Sequence, residues 1–263
     1  MERRDFLATT TLGTIGLGLG SLSNACVADN SPLNDTPKIV ASGGGTGEKV
    51  IKYMASLTGK EKPRFCYLPT AAADSPYSII RWFKMCAELD IVAMVQEMFI
   101  SSYSMSQTFE EILLSMDAIV VSGGNTLNMM AIWKAQGIDT ILRKAWQKGI
   151  VLGGGSAGSL CWFEEGTTDS RPKVLTKVEC LGFLEGSHSP HYDGEAERRP
   201  AYHKLIGDGT LKPGYAIDNN AAIYFEGTEV KKVVATNNSA RAYYVEKVNG
   251  EVREQVMKPD IIL

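Results

Sequence analysis

The residues with the clearest chemical potential lie in the run Ile150-Val151-Leu152-Gly153-Gly154-Gly155-Ser156-Ala157-Gly158-Ser159. It reads as an apolar strand, a glycine turn carrying one serine, and a helix start made of small residues. The G-x-S-x-G pattern is that of a nucleophile elbow, in which a tight strand-to-helix turn lifts a hydroxyl above the end of a sheet. The flanking glycines open positive-φ conformations and close backbone approach. The same run also fits a glycine turn whose amides hold an anion and do no covalent chemistry. Ser156 therefore needs partners before it reads as a nucleophile.

The first partner is a base within hydrogen-bond reach. The chain has three histidines, His188, His191 and His203, all downstream of Ser156. His203 falls in Glu195–Leu205, which reads as a helix, and a surface role fits it best. His188 and His191 share the loop Gly186-Ser187-His188-Ser189-Pro190-His191-Tyr192-Asp193. Pro190 keeps the approach to His191 extended, which favours His191 as the base.

The elements around these residues alternate between strand and helix. Lys38–Ser42, Ile91–Val95, Asp117–Ser122 and the run before Ser156 read as strands, and Phe65–Thr70 as a strand running into a loop. Helical spacing marks Glu48–Leu57, Tyr77–Leu89, Phe109–Met116, Leu127–Lys134 and Ile138–Gln147. Such alternation gives right-handed β-α-β units and a doubly wound, mostly parallel α/β sheet with helices on both faces. In these sheets the site lies beyond the carboxyl ends of the strands. Three glycine-rich strand ends, Gly43-Gly44-Gly45, Gly123-Gly124-Asn125 and Gly153-Gly154-Gly155, are thus expected to converge. The first lacks G-x-G-x-x-G spacing, which disfavours a dinucleotide. After about residue 172 the pattern changes. Ala221–Phe225, Lys232–Ala235, Ala242–Val245 and Val252–Met257 alternate like antiparallel strands that extend the same sheet or cover one face.

Composition sets the outer bounds. The 263 residues are 44% hydrophobic and 22% charged, with a net charge of −3. This is an ordinary globular balance, and no basic stripe points to nucleic acid. The N-terminus carries Glu2-Arg3-Arg4-Asp5-Phe6-Leu7, a twin-arginine pattern, followed by a weakly apolar stretch to Leu22. That stretch suits a cleaved export signal better than a permanent membrane helix. Leu22-Ser23-Asn24-Ala25-Cys26 resembles a loose lipoprotein box with Cys26 as the lipid acceptor; plain cleavage near Ala25 is the alternative. The expected organisation is an export signal over 1–26, a polar tether over 27–36 and a single domain over 37–263. The protein would be bacterial and exported, periplasmic or held at the membrane only through Cys26. Cys66, Cys86, Cys161 and Cys180 show no CxxC or His-rich spacing, so buried free thiols are expected and a zinc site is not.

Gly123-Gly124-Asn125-Thr126, Gly155-Ser156-Ala157-Gly158 and Pro190-His191-Tyr192 occur in that order. Together they resemble the serine peptidase family of dipeptidase E (aspartyl dipeptidase) and cyanophycinase, whose fold is similar to class I glutamine amidotransferases. The resemblance spans roughly residues 37–257. It implies cleavage of short peptides through an acyl-enzyme, without metal or cofactor. It places the nucleophile at Ser156, the base at His191 and the oxyanion hole at the amides of Gly124 and Ala157. A donor just after the nucleophile and another on a neighbouring strand end also suit the bottom-up geometry.

The third member is the departure. The family places an acid, usually glutamate, in a segment similar to Gly214–Ile223, and the position falls on Asn219, with Asp218 just before it. Asparagine can orient an imidazole but brings no full charge. Asp218 could substitute if the loop shifts by one residue; on a regular strand it would point to the opposite face. Asp193 is a further local candidate. Arg198 and Arg199 could hold a substrate carboxylate or form a solvated helix face. Asn125 and Thr126 could hold substrate backbone or cap the following helix. A homodimer is compatible with all of this.

Two readings compete with a serine exopeptidase or dipeptidase. One is a catalytically weakened homologue that binds peptides or a partner, motivated by Asn219. The other is an α/β-hydrolase esterase. It would require an acid such as Glu179 or Glu185 before the histidine, and it leaves Gly123-Gly124-Asn125 without a role. A class I amidotransferase would need a cysteine at the elbow, and Cys161 lies five residues on.

Overall fold

The computed structural model describes residues 36–263. The expected export signal, Cys26 and residues 27–35 of the expected tether lie outside the described residues. Strands β1 (Lys38–Ser42), β2 (Arg64–Leu68), β3 (Val92–Val95), β4 (Ala118–Val121) and β5 (Val151–Gly155) alternate with helices. These are α1 (Glu48–Leu57), α2 (Pro76–Cys86), α3 (Phe109–Leu114), α4 (Thr126–Gln136) and α5 (Ile138–Gln147). The five strands are parallel, in the order β1-β5-β4-β2-β3.

Sequence and packing explain this arrangement together. In β1, Ile39 and Ala41 enter one core while Val40 enters the other; β4 and β5 alternate in the same way. A strand buried on both faces needs apolar residues at every position. The core containing Ile39 is covered by Leu113 of α3, Met129, Met130 and Trp133 of α4, and Leu142 and Trp146 of α5. The opposite core is covered by Val50, Ile51 and Met54 of α1 and by Trp82 and Cys86 of α2. Helix ends are set by local chemistry. Pro76 opens α2 at a position where no amide hydrogen is needed. Thr108 and Glu111 form a capping box on α3, and Gly137 takes φ 72° to end α4.

Beyond β5 come α6 (Ala157–Leu160), β6 (Phe163–Thr168), β7 (Thr176–Glu179), β8 (Leu184–Ser189), α7 (Arg198–Gly207) and β9 (Gly214–Ile217). The chain finishes with β10 (Ala221–Glu226), β11 (Glu229–Ala235), β12 (Ala242–Val248), β13 (Glu251–Met257) and β14 (Ile261–Ile262). β10 pairs antiparallel with β1, and β11 and β14 follow it, completing an eight-stranded sheet. The expected C-terminal extension is therefore present, but only in part. β12 and β13 leave the main sheet and join β9, β8, β6 and β7 in a second, six-stranded sheet. Tyr192, Tyr202, Ile206, Leu211, Ala216 and Val245 form a third core where α7 covers this sheet.

Several boundaries differ from expectation. The strand in Phe65–Thr70 runs from Arg64 to Leu68, and the loop after it includes a 3₁₀ turn over Thr70–Ala72. Helix α2 ends at Cys86 rather than Leu89, and α7 begins at Arg198 rather than Glu195. Cys66, Cys86 and Cys161 are buried free thiols, and Cys180 is half-buried. Among the described residues no helix is long and apolar enough to cross a membrane.

Candidate active site

Ser156 sits between β5 and α6 with φ 58° and ψ −119°, a conformation that costs a non-glycine residue about 1–3 kcal/mol. The surroundings enforce it. Ser156 N–H donates to the Ser42 carbonyl at 3.3 Å. Its own carbonyl accepts from the amides of Ser159 and Leu160 at 3.1 and 3.0 Å. A side chain on Gly154 or Gly158 would run into backbone of the neighbouring strand and turn, so both positions need glycine.

The hydroxyl of Ser156 lies 2.8 Å from His191 Nε2. His191 Nδ1 lies 2.6 Å from Asn219 Oδ1. An amide oxygen only accepts, so Nδ1 carries the proton and Nε2 is free to accept from the serine. His191 follows β8 and also has positive φ, 55°. Its amide donates to the Gly43 carbonyl at 3.0 Å, and the Tyr192 amide donates to Ile217 at 3.2 Å. These bonds tie the histidine loop to the ends of β1 and β9. Asn219 occupies the turn where the chain passes from β9 in one sheet to β10 in the other. Its side-chain nitrogen packs so closely on Gly194 that a Cβ there would overlap it. Its backbone amide donates to Asp193 Oδ1 at 2.7 Å.

Asp218 and Asp193, the two carboxylates weighed for the third position, point elsewhere. Asp218 Oδ2 accepts from the Arg241 amide at 2.8 Å and from Tyr243 Oη at 3.4 Å. Burial pushes its carboxyl up to about 6. Asp193 reaches the backbone of Asn219, not the imidazole. His188 is fully buried, between the Ser159 hydroxyl and the Tyr215 carbonyl, each at 2.9 Å. Burial pushes its pKa down to about 3, so it stays neutral. His203 bonds Glu254 at 3.1 Å on α7.

Gly123 borders Ser156 directly: a Cβ on it would lie 3.2 Å from Ser156 Cβ. Gly124 has φ 138° and no room for a side chain beside the Ala71 carbonyl. Among the described residues, the amides of Gly124 and Ala157 donate to no other group. Neither donor is committed within the protein; Ala157 directly follows Ser156, and Gly124 directly follows Gly123, which borders it.

The expected substrate-binding residues are placed differently. Arg198 is 2% exposed and pairs with Glu195 at 2.6 Å and Asp169 at 3.3 Å. Arg199 pairs with Glu254 at 3.1 Å and stacks on Tyr192 and Tyr243. Both guanidiniums are engaged within the protein, so the expected carboxylate clamp at Arg198 and Arg199 is not formed. Asn125 caps α4 by accepting from the Asn128 amide at 2.9 Å, and Thr126 is buried. Asn125 thus has the capping role, and Thr126, the first residue of α4, is buried without one. A cleft of about 600 Å³ does open beside the site, sharing Gly123, Gly155 and Asn219 with it. Arg81 is the charged residue of its wall, and sequence reading missed it. Arg81 stands one turn into an ordinary amphipathic helix, and only the fold shows that α2 borders the site.

A model of peptidase family S51 matches residues 39–233. The chain belongs to peptidase family S51. The peptidase is 42% identical over 223 residues to the uncharacterised peptidase YgaJ of Bacillus subtilis, covering 82% of this chain and 95% of that one. It is 28% identical over 186 residues to an uncharacterised peptidase of Listeria monocytogenes, covering 68% of this chain and 88% of the relative. Its fold is similar to the crystal structure of a peptidase from an acI-B1 Actinobacterium (TM-score 0.67, 19% identity, 86% of this chain and 95% of that one). A putative peptidase E of Listeria monocytogenes is also similar (TM-score 0.58, 18% identity, 77% of this chain and 100% of that one). The peptidase is therefore a hydrolase with a mixed α/β fold of this family.

Proposed function

We propose that this hydrolase is a serine-type exopeptidase or dipeptidase that cleaves short peptides with a free amino terminus through an acyl-enzyme at Ser156. One observation carries the reading: His191 bridges the Ser156 hydroxyl and the Asn219 amide oxygen with hydrogen bonds of 2.8 and 2.6 Å. In this mechanism Ser156 Oγ attacks the scissile carbonyl as its proton passes to His191 Nε2. The Gly124 and Ala157 amides hold the oxyanion. His191 then protonates the leaving amine, and water, deprotonated by the same imidazole, releases the acyl group. Asn219 keeps the proton on Nδ1 throughout, so Nε2 always faces the reaction.

A fluorophosphonate probe tests the reading. It is expected to label Ser156 of the purified protein at neutral pH and to fail on Ser156→Ala and His191→Ala. An unlabelled wild type would sink the proposal. It would favour the second reading, a weakened homologue that binds peptides, for which the neutral Asn219 in place of a carboxylate is the supporting observation. Export with lipid on Cys26 is a separate proposal, carried by residues 1–26 alone. Intact-mass analysis of the N-terminus from cells tests it, and a chain still beginning at Met1 would refute it.

A further inference from the structure

The cleft beside Ser156 has a composition that the reaction itself does not explain. Its floor is apolar and aromatic: Tyr67 and Trp82 stack with centroids 5.1 Å apart and planes 14° from parallel, and Met85 lies alongside. Arg81 is the charged side chain in its wall, and Tyr77, 76% exposed, forms the rim. Among the described residues Arg81 makes no hydrogen bond or ion pair, in contrast to Arg198 and Arg199. The Thr46 hydroxyl, also in the wall, is buried without a partner. The cleft thus offers one unpaired cation, two buried hydroxyls without a partner (Thr46 and Ser122) and an apolar platform.

We propose that this cleft seats the C-terminal residue of the substrate, with its α-carboxylate on Arg81 and its side chain on Tyr67, Trp82 and Met85. The inference rests on the serine-peptidase reading above and names the part of the peptide that the site selects. A substrate's acidic side chain would satisfy Arg81 and leave the aromatic floor without purpose. An apolar side chain within a longer peptide would use the floor and leave the guanidinium without purpose. A chain terminus presents a carboxylate and a side chain on the same carbon, which matches both. The position agrees. Asn219 and Asn220 are among the residues that line the cleft, so it adjoins the residue that holds His191 Nδ1. A planar guanidinium suits a carboxylate better than any other peptide group.

The test compares a dipeptide ending in leucine with its C-terminal amide, on the wild type, Arg81→Met and Arg81→Lys. Losing a charge-assisted contact changes binding by roughly 10- to 100-fold. The wild type is expected to prefer the free acid by that factor, mainly through KM. In Arg81→Met the acid and the amide converge to within about twofold, and Arg81→Lys restores part of the preference. A wild type that cleaves acid and amide equally overturns the inference, as does a preference that survives in Arg81→Met. A dipeptide amide with N-terminal aspartate forms a further arm. If Arg81→Met selectively loses that substrate, the cleft reads a side-chain carboxylate and the inference fails. Fluorophosphonate labelling of wild-type Ser156 in the same preparation separates these failures from failure of the serine-peptidase reading itself.

Discussion

Replacing Asn219 by alanine removes the acceptor 2.6 Å from His191 Nδ1 and nothing else that touches the imidazole. When His191 takes the serine proton this bond becomes charge-assisted, worth about 1.5–3 kcal/mol. Each 1.36 kcal/mol is about tenfold in rate, so kcat/KM for a dipeptide should fall about 10- to 150-fold. Asn219→Asp keeps the acceptor and adds a charge, so it should retain activity at or above the wild-type level. Asp218→Asn is the matched control. Its carboxylate serves the Arg241 amide and Tyr243, and activity should stay within about threefold. Its effect belongs to stability. Burial raises its carboxyl to about 6 against about 3.9 in an unfolded chain. An acid with a raised folded pKa loses stability as pH climbs from about 4 through 6. Asp218→Asn should therefore match the wild type in urea unfolding at pH 4 and exceed it at pH 8, by up to about 3 kcal/mol. If Asp218→Asn lost as much activity as Asn219→Ala, or if Asn219→Ala stayed within threefold, the assignment of the third position to Asn219 would be wrong.

The other predictions concern strain, charge and space around the same site. Ser156→Gly relieves the positive φ that Ser156→Ala keeps, so it should be more stable than Ser156→Ala by about 1 kcal/mol, or roughly 2–4 °C in Tm, once glycine's chain entropy is offset; equal Tm values would contradict stored strain. His188 is held near a pKa of 3 by burial and titrates near 6.5 when unfolded. Stability should fall with acidification between those values, with a His188 contribution of about 1.4 kcal/mol per pH unit that His188→Gln removes; identical slopes for the two proteins would refute the assignment. A Cβ on Gly194 overlaps the Asn219 amide. Gly194→Ala should therefore lower kcat/KM about 100-fold while circular dichroism stays native, and unchanged kinetics would show that Asn219 is free to move.

The parallel half of the fold was legible because its signal is local. Residues 48–57 and 138–147 carry helical spacing, and the apolar runs Ile39–Ala41, Ala118–Val121 and Ile150–Leu152 suit a sheet covered on both faces. The second sheet was not legible. In β6, Phe163-Glu164-Glu165-Gly166-Thr167-Thr168 has no period-two pattern, because its polar groups are satisfied by distant partners. Glu164 binds Lys212 and the Gly186 amide, Glu165 binds Lys177, and the Thr167 hydroxyl donates to Ser189. Ser156 and His191 could be read from motif and from the small number of histidines. Choosing Asn219 over Asp218 depended on which way a two-sheet crossover faces its side chains. The expected arginine clamp failed for a similar reason. Glu195, Asp169 and Glu254 compete for Arg198 and Arg199, and only Glu195 lies close to either arginine in sequence.

The central claim is covalent chemistry at Ser156, and trapping the intermediate tests it most directly. A dipeptide ester that the enzyme turns over would be mixed with it, quenched in acid within a turnover and digested. The account predicts an acyl group on the peptide containing Ser156, absent from Ser156→Ala. Measurable wild-type turnover with no acyl group, or with the acyl group on another residue, would contradict it.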